Sequence, residues 1–275
     1  MSIMRKLREY LNRPLSFVMF LLIIISTVIT ALTVVFIIGY IFIKGVPNLS
    51  LDLFSLKYSS SNQSMLPSII NTVYLTALTL LLAVPIGIFS AIYLAEYSRK
   101  NSFFVKIINI ANETLSGIPS IVYGLFGFLA FVISKKWGYS LLAGVITLAI
   151  MVLPLIIRTS QEAMLGVDNT FREASYGLGA GKLRTVFKIV LPSAMPGILS
   201  GIILAIGRIV GETAALIYTA GTVPEAATKL TSSSRTISVH LYCLLNEGLY
   251  TEQAYATAVV LIVFVVIINA LSNAL

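Results

Sequence analysis

The sequence predicts an all-α, polytopic integral membrane protein with six transmembrane helices and a cytoplasmic helix-turn-helix loop. Of its 275 residues, 57% are hydrophobic and 11% are charged, less than half the charged share of an average soluble domain. The mean hydropathy is +0.95, and apolar runs long enough to cross a bilayer recur along the chain. The predicted spans, in one domain over residues 1–275, are residues 15–43, 67–95, 107–133, 140–157, 191–220 and 254–271.

The distribution of basic residues predicts the orientation. Twelve of the 19 Lys and Arg residues fall in the amino-terminal tail and in the second and fourth loops, six fall in the other loops, and Arg208 lies within a span. Because cytoplasmic loops are richer in Lys and Arg, we expect the amino terminus and those two loops to lie inside. The net charge of +8 is explained by this orientation. It does not indicate nucleic-acid binding, because the basic residues form no contiguous face.

The first three spans differ in character. The first follows a basic tail and is far longer than the roughly 7–15-residue core of a signal peptide, so we expect it to remain uncleaved. Pro85 and Gly87 are expected to interrupt the second span. The third contains Pro119, Gly124 and Gly127, and residues of this kind let helices approach closely. We therefore expect the third span to face the bundle and not lipid. The basic tail residues are Arg5, Lys6, Arg8 and Arg13.

The long cytoplasmic loop, residues 158–191, contains a polar segment between two hydrophobic spans. Thr170 and Glu173 have the spacing of a capping box, which predicts a short helix that begins near Phe171. Gly177 and Gly179 are expected to stop it. A second short helix is predicted from residue 182 to residue 190, with Pro192 opening the next span.

The fifth span carries two charges, Arg208 and Glu212, which a continuous helix would place one turn apart on one face. Each charge at that depth costs roughly 2.5–3.5 kcal/mol on insertion scales, so the pair calls for a function. A structural ion pair is one interpretation, although Arg before Glu is the less favourable order. The alternative is that Arg208 meets an oxyanion, whose oxygens match its planar donors, while Glu212 moderates the attraction.

Several other classes of site are excluded or weakly supported. Residues 177–182, GLGAGK, lack the spacing of a phosphate-binding loop, because three residues separate Gly177 from Gly181 and no Ser or Thr follows Lys182. The single Cys243 and the single His240 offer neither a disulfide nor a metal site.

Residues 237–245 are expected to lie on the membrane surface. We find no strong internal repeat.

The polar loop resembles the signature of ABC importer permeases, Glu-Ala-Ala-x3-Gly-x9-Ile-x-Leu-Pro. The matching residues keep every spacing, and Ser replaces the second Ala. The resemblance implies that this loop docks into a groove on a separate ATP-hydrolysing subunit. The implied coupling residues are Glu173, Ala174, Ser175, Gly179, Leu191 and Pro192.

Two further segments resemble the phosphate-specific ABC importers, and within them the A-type permease subunit. They are residues 117–127, GIPSIVYGLFG, and residues 207–216, GRIVGETAAL. The resemblance covers about residues 65–272. Ala215 stands where Pro is usual, and a basic carboxyl terminus is missing. The implied substrate-pathway residues are Arg208, Glu212, Thr213, Ser116 and Ser120.

The resemblance implies half of a heterodimeric channel for inorganic phosphate in a bacterial or archaeal cytoplasmic membrane. The implied partners are a homologous C-type permease, a cytoplasmic ABC ATPase dimer, an extracytoplasmic phosphate-binding protein and membrane lipid. No catalytic residue, metal or cofactor is expected in this chain, because ATP and Mg²⁺ would bind the ATPase.

Three alternatives stay open at this point. One is a permease for another oxyanion, such as sulfate, molybdate or phosphonate, because the coupling loop is indifferent to cargo. Another is an ion-driven phosphate carrier, for which inverted repeats with broken helices would be expected; the sequence predicts none. A membrane-embedded enzyme is disfavoured, since no metal-ligand cluster or nucleophile–base pair occurs within the spans.

Overall fold

The structure, a computed structural model, describes residues 14–98 and 102–273, and every regular element in these ranges is helical. The predicted basic tail and the loop residues Arg99 and Lys100 lie outside the described residues. The α-helices are α1 Pro14–Gly45, α2 Leu66–Ile92, α3 Phe103–Gly117, α4 Ser120–Gly127, α5 Leu141–Leu165, α6 Asn169–Gly177, α7 Lys182–Thr185, α8 Leu191–Val210, α9 Ala214–Thr219, α10 Ile237–Glu247 and α11 Thr251–Asn273.

Shorter helical turns join some of these helices. Two 3₁₀ turns, Val46–Asn48 and Leu51–Phe54, follow α1. Three π-helical turns extend α2, extend α4 and connect α7 to α8. They are Tyr93–Tyr97, Phe128–Ser134 and Val186–Val190.

Five helical segments and one bent pair of helices are long and apolar enough to cross a membrane. Counting the bent pair as one span gives the six spans that the sequence predicts. The all-α membrane fold is therefore confirmed. The segments are Leu15–Asn48, Leu66–Tyr97, Leu141–Leu165, Lys182–Val210 and Thr251–Ala270, with Val105–Gly117 and Ser120–Ser134 as the bent pair.

Helix α5 lies at the centre of the bundle, packed against α2, α3, α4, α8 and α9. Its apolar window is 61% buried, whereas that of α1 is 0% buried. Leu148, Met151 and Ile156 on α5 form the core with Leu75 of α2 and Ile209 of α8. A helix that is apolar all round becomes a core helix in this way, while α1 keeps its apolar surface for lipid or another chain.

The expected interruption of the second span is wrong. Helix α2 continues through Pro85, and its π-helical turn carries the segment to Tyr97. Gly87 lies against α5, where an added Cβ would come within 2.6 Å of Ile156 Cγ2. The glycine therefore serves close packing between α2 and α5, and that packing holds the helix together across the proline.

The third span is broken, not continuous. Helices α3 and α4 meet at an angle of 100°. Ile118 is extended, with φ −72° and ψ 129°, because a residue before proline is pushed out of the helical region and Pro119 has no N–H to donate. The Leu115 carbonyl accepts the N–H of Ile118 at 3.2 Å and the Tyr123 hydroxyl at 2.8 Å, in place of the N–H that Pro119 lacks.

The fifth span is also broken. Helix α8 ends at Val210, residues 211–213 belong to no helix, and the short helix α9 follows. The two broken spans cross each other closely: a Cβ added at Gly124 of α4 would lie 2.8 Å from the Cα of Ala215 in α9. Two interrupted helices therefore meet inside the bundle.

The segment between α9 and α11 folds back onto the end of α2. Asn71 Nδ2 donates to the carbonyls of Glu225 and Arg235, and its Oδ1 accepts the N–H of Ala227. Because this segment is tied down, the first turn of α10 is buried, including His240. The first turn of residues 237–245 therefore packs against protein, and the placement of this stretch on a membrane surface stays a prediction.

Candidate functional site

The polar loop forms the predicted helix, turn and helix, with a different cap. Helix α6 starts two residues early because Asp168 Oδ1 accepts the N–H of Thr170 at 2.9 Å. The predicted capping box of Thr170 and Glu173 is therefore wrong; an Asp cap is at least as favourable as a Thr cap. Gly177 ends α6, and Gly179 has a φ of +82°, a conformation that glycine adopts without strain.

A buried contact fixes the angle between α6 and α7. The hydroxyls of Ser175 and Thr185 lie 2.8 Å apart and share a hydrogen bond. Glu173 and Ala174 are exposed on α6. A groove of about 410 Å³ opens between the two helices, and its lining includes Ser175, Leu178, Gly179, Ala180, Arg184 and Lys188.

The second short helix does not end before the next span. Residues 182–210 form one helical segment, in which the π-helical turn joins α7 to α8. Leu191 and Pro192 stand in the first turn of α8, directly after the π-helical turn. Helix α7 is therefore continuous with the helix that carries Arg208.

Arg208 and Glu212 do not form the structural ion pair that was one interpretation of the sequence. In residues 14–98 and 102–273 the ion pairs are Arg158–Glu162 and Arg172–Glu96. Glu212 lies beyond the end of α8 and is buried, and its Oε1 accepts the N–H of Ala215 at 3.0 Å. The carboxylate therefore serves the backbone of α9, and the Arg208 guanidinium, half-buried one turn earlier, has no carboxylate partner among the described residues.

The other predicted pathway residues lie at the same two breaks. Ser116 stands in the last turn of α3 and is exposed, and its hydroxyl donates to the Asn112 carbonyl at 2.7 Å. Ser120 opens α4, and Thr213 lies between α8 and α9. The structure thus places all five predicted pathway residues beside interruptions of two crossing spans.

Comparison with known proteins identifies the family. A sequence profile described as "Binding-protein-dependent transport system inner membrane component" matches residues 83–275. The chain belongs to this family. It is 32% identical over 249 residues to the "Probable ABC transporter permease protein YqgI" of Bacillus subtilis (strain 168), with 84% of each chain covered. It is 35% identical over 218 residues to the "Phosphate transport system permease protein PstA" of Haemophilus influenzae, covering 78% of this chain and 77% of that protein.

A solved structure agrees at the level of the fold. A chain of a bacterial ABC transporter involved in the import of the acidic polysaccharide alginate superposes with a TM-score of 0.64 at 19% identity. The match covers 98% of this chain and 99% of that one. The solved structure shows the ABC importer permease fold, and the family match shows that the chain is a transport subunit.

Family membership also corrects one argument from the sequence. Inverted repeats with broken helices were expected for an ion-driven carrier and were not found in the sequence, yet two of the spans are broken. Interrupted helices therefore do not separate a carrier from this permease. Backbone groups freed by a break can be satisfied by protein or by water in a cavity, and both classes of transporter use that arrangement.

Sequence analysis missed a polar cavity of about 200 Å³ between α3 and α5 of the permease. Glu113 lies on α3, while Arg158 and Glu162 form an exposed pair on α5 with Nε and Oε1 3.0 Å apart. Glu113 stands within a predicted span, so the reasoning applied to Arg208 would have identified it. The cavity lining also includes Asn109, Asn112 and Gln161.

The ion pair between Arg172 and Glu96 was also not predicted from the sequence. The two side chains are 13% and 6% exposed. Arg172 immediately precedes Glu173, a predicted coupling residue, and Glu96 stands in the π-helical turn after α2. The two residues are 76 positions apart in the chain, and no local pattern in the sequence relates them.

Proposed function

We propose that this chain is one of two permease subunits of an ATP-driven importer of inorganic phosphate. The observation that carries the proposal is the Arg208 guanidinium, which lies beside two crossing helix breaks and has no carboxylate partner among the described residues. Its planar donors fit two oxygens of an oxyanion at once. The naming of the similar proteins from Haemophilus influenzae and Pasteurella multocida as phosphate permeases supports phosphate as cargo.

The site at the two helix breaks is suited to letting an anion pass, and not to holding it tightly. A lone guanidinium in a dry channel would hold phosphate tightly, so transport requires a site that the ion can leave. Glu212 lies close in sequence, and its carboxyl group caps α9 beside the same break. The serine and threonine hydroxyls at positions 116, 120 and 213 offer further hydrogen bonds along the same route.

The proposed assembly follows from the polar loop and the family. The groove between α6 and α7 receives part of a cytoplasmic ATPase dimer, on which ATP and Mg²⁺ bind, and this chain holds no cofactor of its own. A homologous C-type permease completes the channel, and an extracytoplasmic protein delivers phosphate. The membrane is the cytoplasmic membrane of a bacterium or archaeon, with the amino terminus and the groove inside.

Reconstitution with defined cargo tests the proposal. This permease, a C-type partner permease and the ATPase are placed in liposomes with internal ATP and external phosphate-binding protein, and uptake of radiolabelled phosphate is measured. We expect ATP-dependent uptake that unlabelled phosphate suppresses and that sulfate, molybdate and methylphosphonate leave largely intact. Suppression by one of those anions at lower concentration than phosphate would assign a different oxyanion, and uptake driven by an ion gradient without ATP would reject the importer.

A further inference from the structure

The π-helical turn Tyr93–Tyr97, at the end of α2, touches both helices of the coupling loop. Glu96 Oε1 accepts a hydrogen bond from Arg172 Nη2 of α6 at 2.6 Å, and Nε of the same guanidinium lies 3.1 Å away. Lys182 Nζ of α7 lies over the Tyr97 ring, 5.0 Å from its centroid. One turn of α2 is therefore bonded to α6 and in contact with α7.

Arg172 also binds the end of α5. Its Nη2 donates to the Met164 carbonyl at 2.8 Å, and its Nη1 donates to the Val167 carbonyl at 2.7 Å. Met164 lies in the last turn of α5 and Val167 just beyond its end, where backbone acceptors are left over and a positive charge is favourable. The guanidinium thus joins α6, α5 and α2 in one buried contact, which a single ammonium group could not reproduce.

The opposite end of α2 is tied to the segment between α9 and α10. Asn71 makes three hydrogen bonds to the backbone of this segment, at 2.8–3.2 Å. The Thr72 hydroxyl accepts the N–H of Ile237 at 2.9 Å. Asn71 and Thr72 are both buried, so these bonds are shielded from water.

Between its two ends, α2 is held against α5. Ala83 and Gly87 allow this close approach, and Leu75 lies in the core shared with α5. The segment Leu66–Tyr97 has 32 residues, which gives a length of about 48 Å at ~1.5 Å per residue. It therefore reaches across a bilayer as one packed helix with polar ties at both ends.

We propose that α2 transmits movement between the coupling loop and the opposite face of the membrane, with Arg172 and Glu96 as the positioning residues that latch it to α6. This inference rests on the proposed function, because it requires an ATPase at the groove and a binding protein at the other face. In this arrangement, the loaded binding protein docks at the Asn71 end of α2 and displaces that helix. The latch then passes the displacement of α2 to the coupling loop and so to the ATPase. The latch stays closed throughout the transport cycle.

The first test uses conservative variants of the complete reconstituted transporter. Glu96→Gln keeps the shape of the side chain and an acceptor oxygen, and Arg172→Lys keeps the charge but loses the planar fork. Both should retain assembly with the ATPase and basal ATP hydrolysis. Stimulation of hydrolysis by the phosphate-loaded binding protein should fall about fivefold or more, within the usual range of coupling between sites. The matched control is Glu252→Gln, which neutralises an exposed carboxylate on α11. This variant should keep full stimulation.

The second test replaces the latch with a covalent bridge. Glu96→Cys and Arg172→Cys are combined with Cys243→Ser, which removes the one native cysteine. A short bifunctional thiol reagent then joins the two introduced cysteines. Before bridging, stimulation should be lost; after bridging, both stimulation and phosphate uptake should return, because the contact does not need to open.

The outcomes separate the latch from the proposed function. Full stimulation in the unbridged double-cysteine protein, or a bridged protein whose transport stays blocked, would overturn the latch. If the unmodified complex shows neither phosphate uptake nor stimulation by the binding protein, the proposed function fails before any latch variant is compared.

Discussion

Glu212 holds its carboxylate against the backbone at the start of α9, where Oε1 accepts the N–H of Ala215 at 3.0 Å. The Ser238 hydroxyl in turn donates to the Glu212 carbonyl at 2.6 Å. Both contacts fix the short helix beside the break in the fifth span. At the scale of the residue, the acidic group of this span is thus a structural cap, which leaves Arg208 for another role.

The effect of a substitution at Glu212 on stability should therefore depend on whether the new side chain has a hydrogen-bond acceptor, and not on its charge. Glu212→Ala leaves a buried N–H unsatisfied and should lower the free energy of unfolding by about 1–3 kcal/mol. Glu212→Gln retains an acceptor oxygen and should cost less than about 1 kcal/mol. Thermal melting of the purified permease complex measures both, with exposed Glu252→Ala as control. An equal loss in the Gln and Ala variants would indicate that Glu212 acts through its charge.

His240 is fully buried beside the Tyr58 ring, with a distance of 6.3 Å between ring centroids. Burial, and then the charge of Arg235, lower the pKa of His240 from 6.5 to about 3. The unfolded chain takes up a proton near pH 6.5, while the folded protein stays neutral. The neutral histidine therefore contributes stability above that pH, and the contribution is lost as the pH falls.

The pH dependence of stability should reveal this histidine. Between pH 6.5 and 5 the wild-type complex should lose ~2 kcal/mol through His240, at about 1.4 kcal/mol per pH unit. His240→Phe keeps an aromatic ring against Tyr58 and should remove that slope. The measurement is melting temperature against pH for the two proteins. Parallel curves would show that His240 is protonated in the folded state.

At the scale of the element, the two broken spans depend on close backbone contact. Gly124→Ala would place a Cβ 2.8 Å from the Cα of Ala215, a backbone atom that cannot move aside. We expect a loss of stability of about 1–3 kcal/mol. Gly39→Ala in α1 meets nothing within 4 Å and should be neutral or stabilising, since Ala favours a helix. Equal melting temperatures for the two variants would contradict the crossing of α4 and α9.

The two prolines Pro85 and Pro119 show what the sequence could and could not predict. Both stand in apolar runs, and the runs themselves predicted the spans to within a few residues. Pro85 lies inside a continuous helix while Pro119 ends one, and packing against α5 holds the helix around Pro85. Because that packing is a tertiary property, local pattern could not separate the two cases.

For the candidate site as well, local features were predictable from the sequence and tertiary contacts were not. The polar loop was found because its signature is local, although its cap was placed two residues late. The ion pair of Arg172 with Glu96 joins positions 76 residues apart, so it needed the fold. The partnership of Glu212 with the Ala215 backbone needed the break after Val210, which a continuous helical pattern does not indicate.

At the scale of the whole molecule, the coupling groove and the Asn71 end of α2 should lie on opposite sides of the membrane. In a Cys243→Ser background, a cysteine at exposed Ser60 or Lys229 should react with an impermeant thiol reagent on intact cells. A cysteine at exposed Lys106 should react only after permeabilisation. Labelling of position 106 on intact cells would invert the orientation.

The central claim is that Arg208 belongs to the path of the anion and is not a structural partner of Glu212. Uptake of radiolabelled phosphate by reconstituted complexes tests it most directly, together with complex yield. Arg208→Gln should leave the yield unchanged and lower uptake about tenfold or more, a loss of ~1.4 kcal/mol or more in transition-state stabilisation. Arg208→Lys should recover only part of the uptake, because it lacks the planar fork. Adding Glu212→Gln to Arg208→Gln should restore nothing, whereas a double variant that regains wild-type yield and uptake would contradict the account.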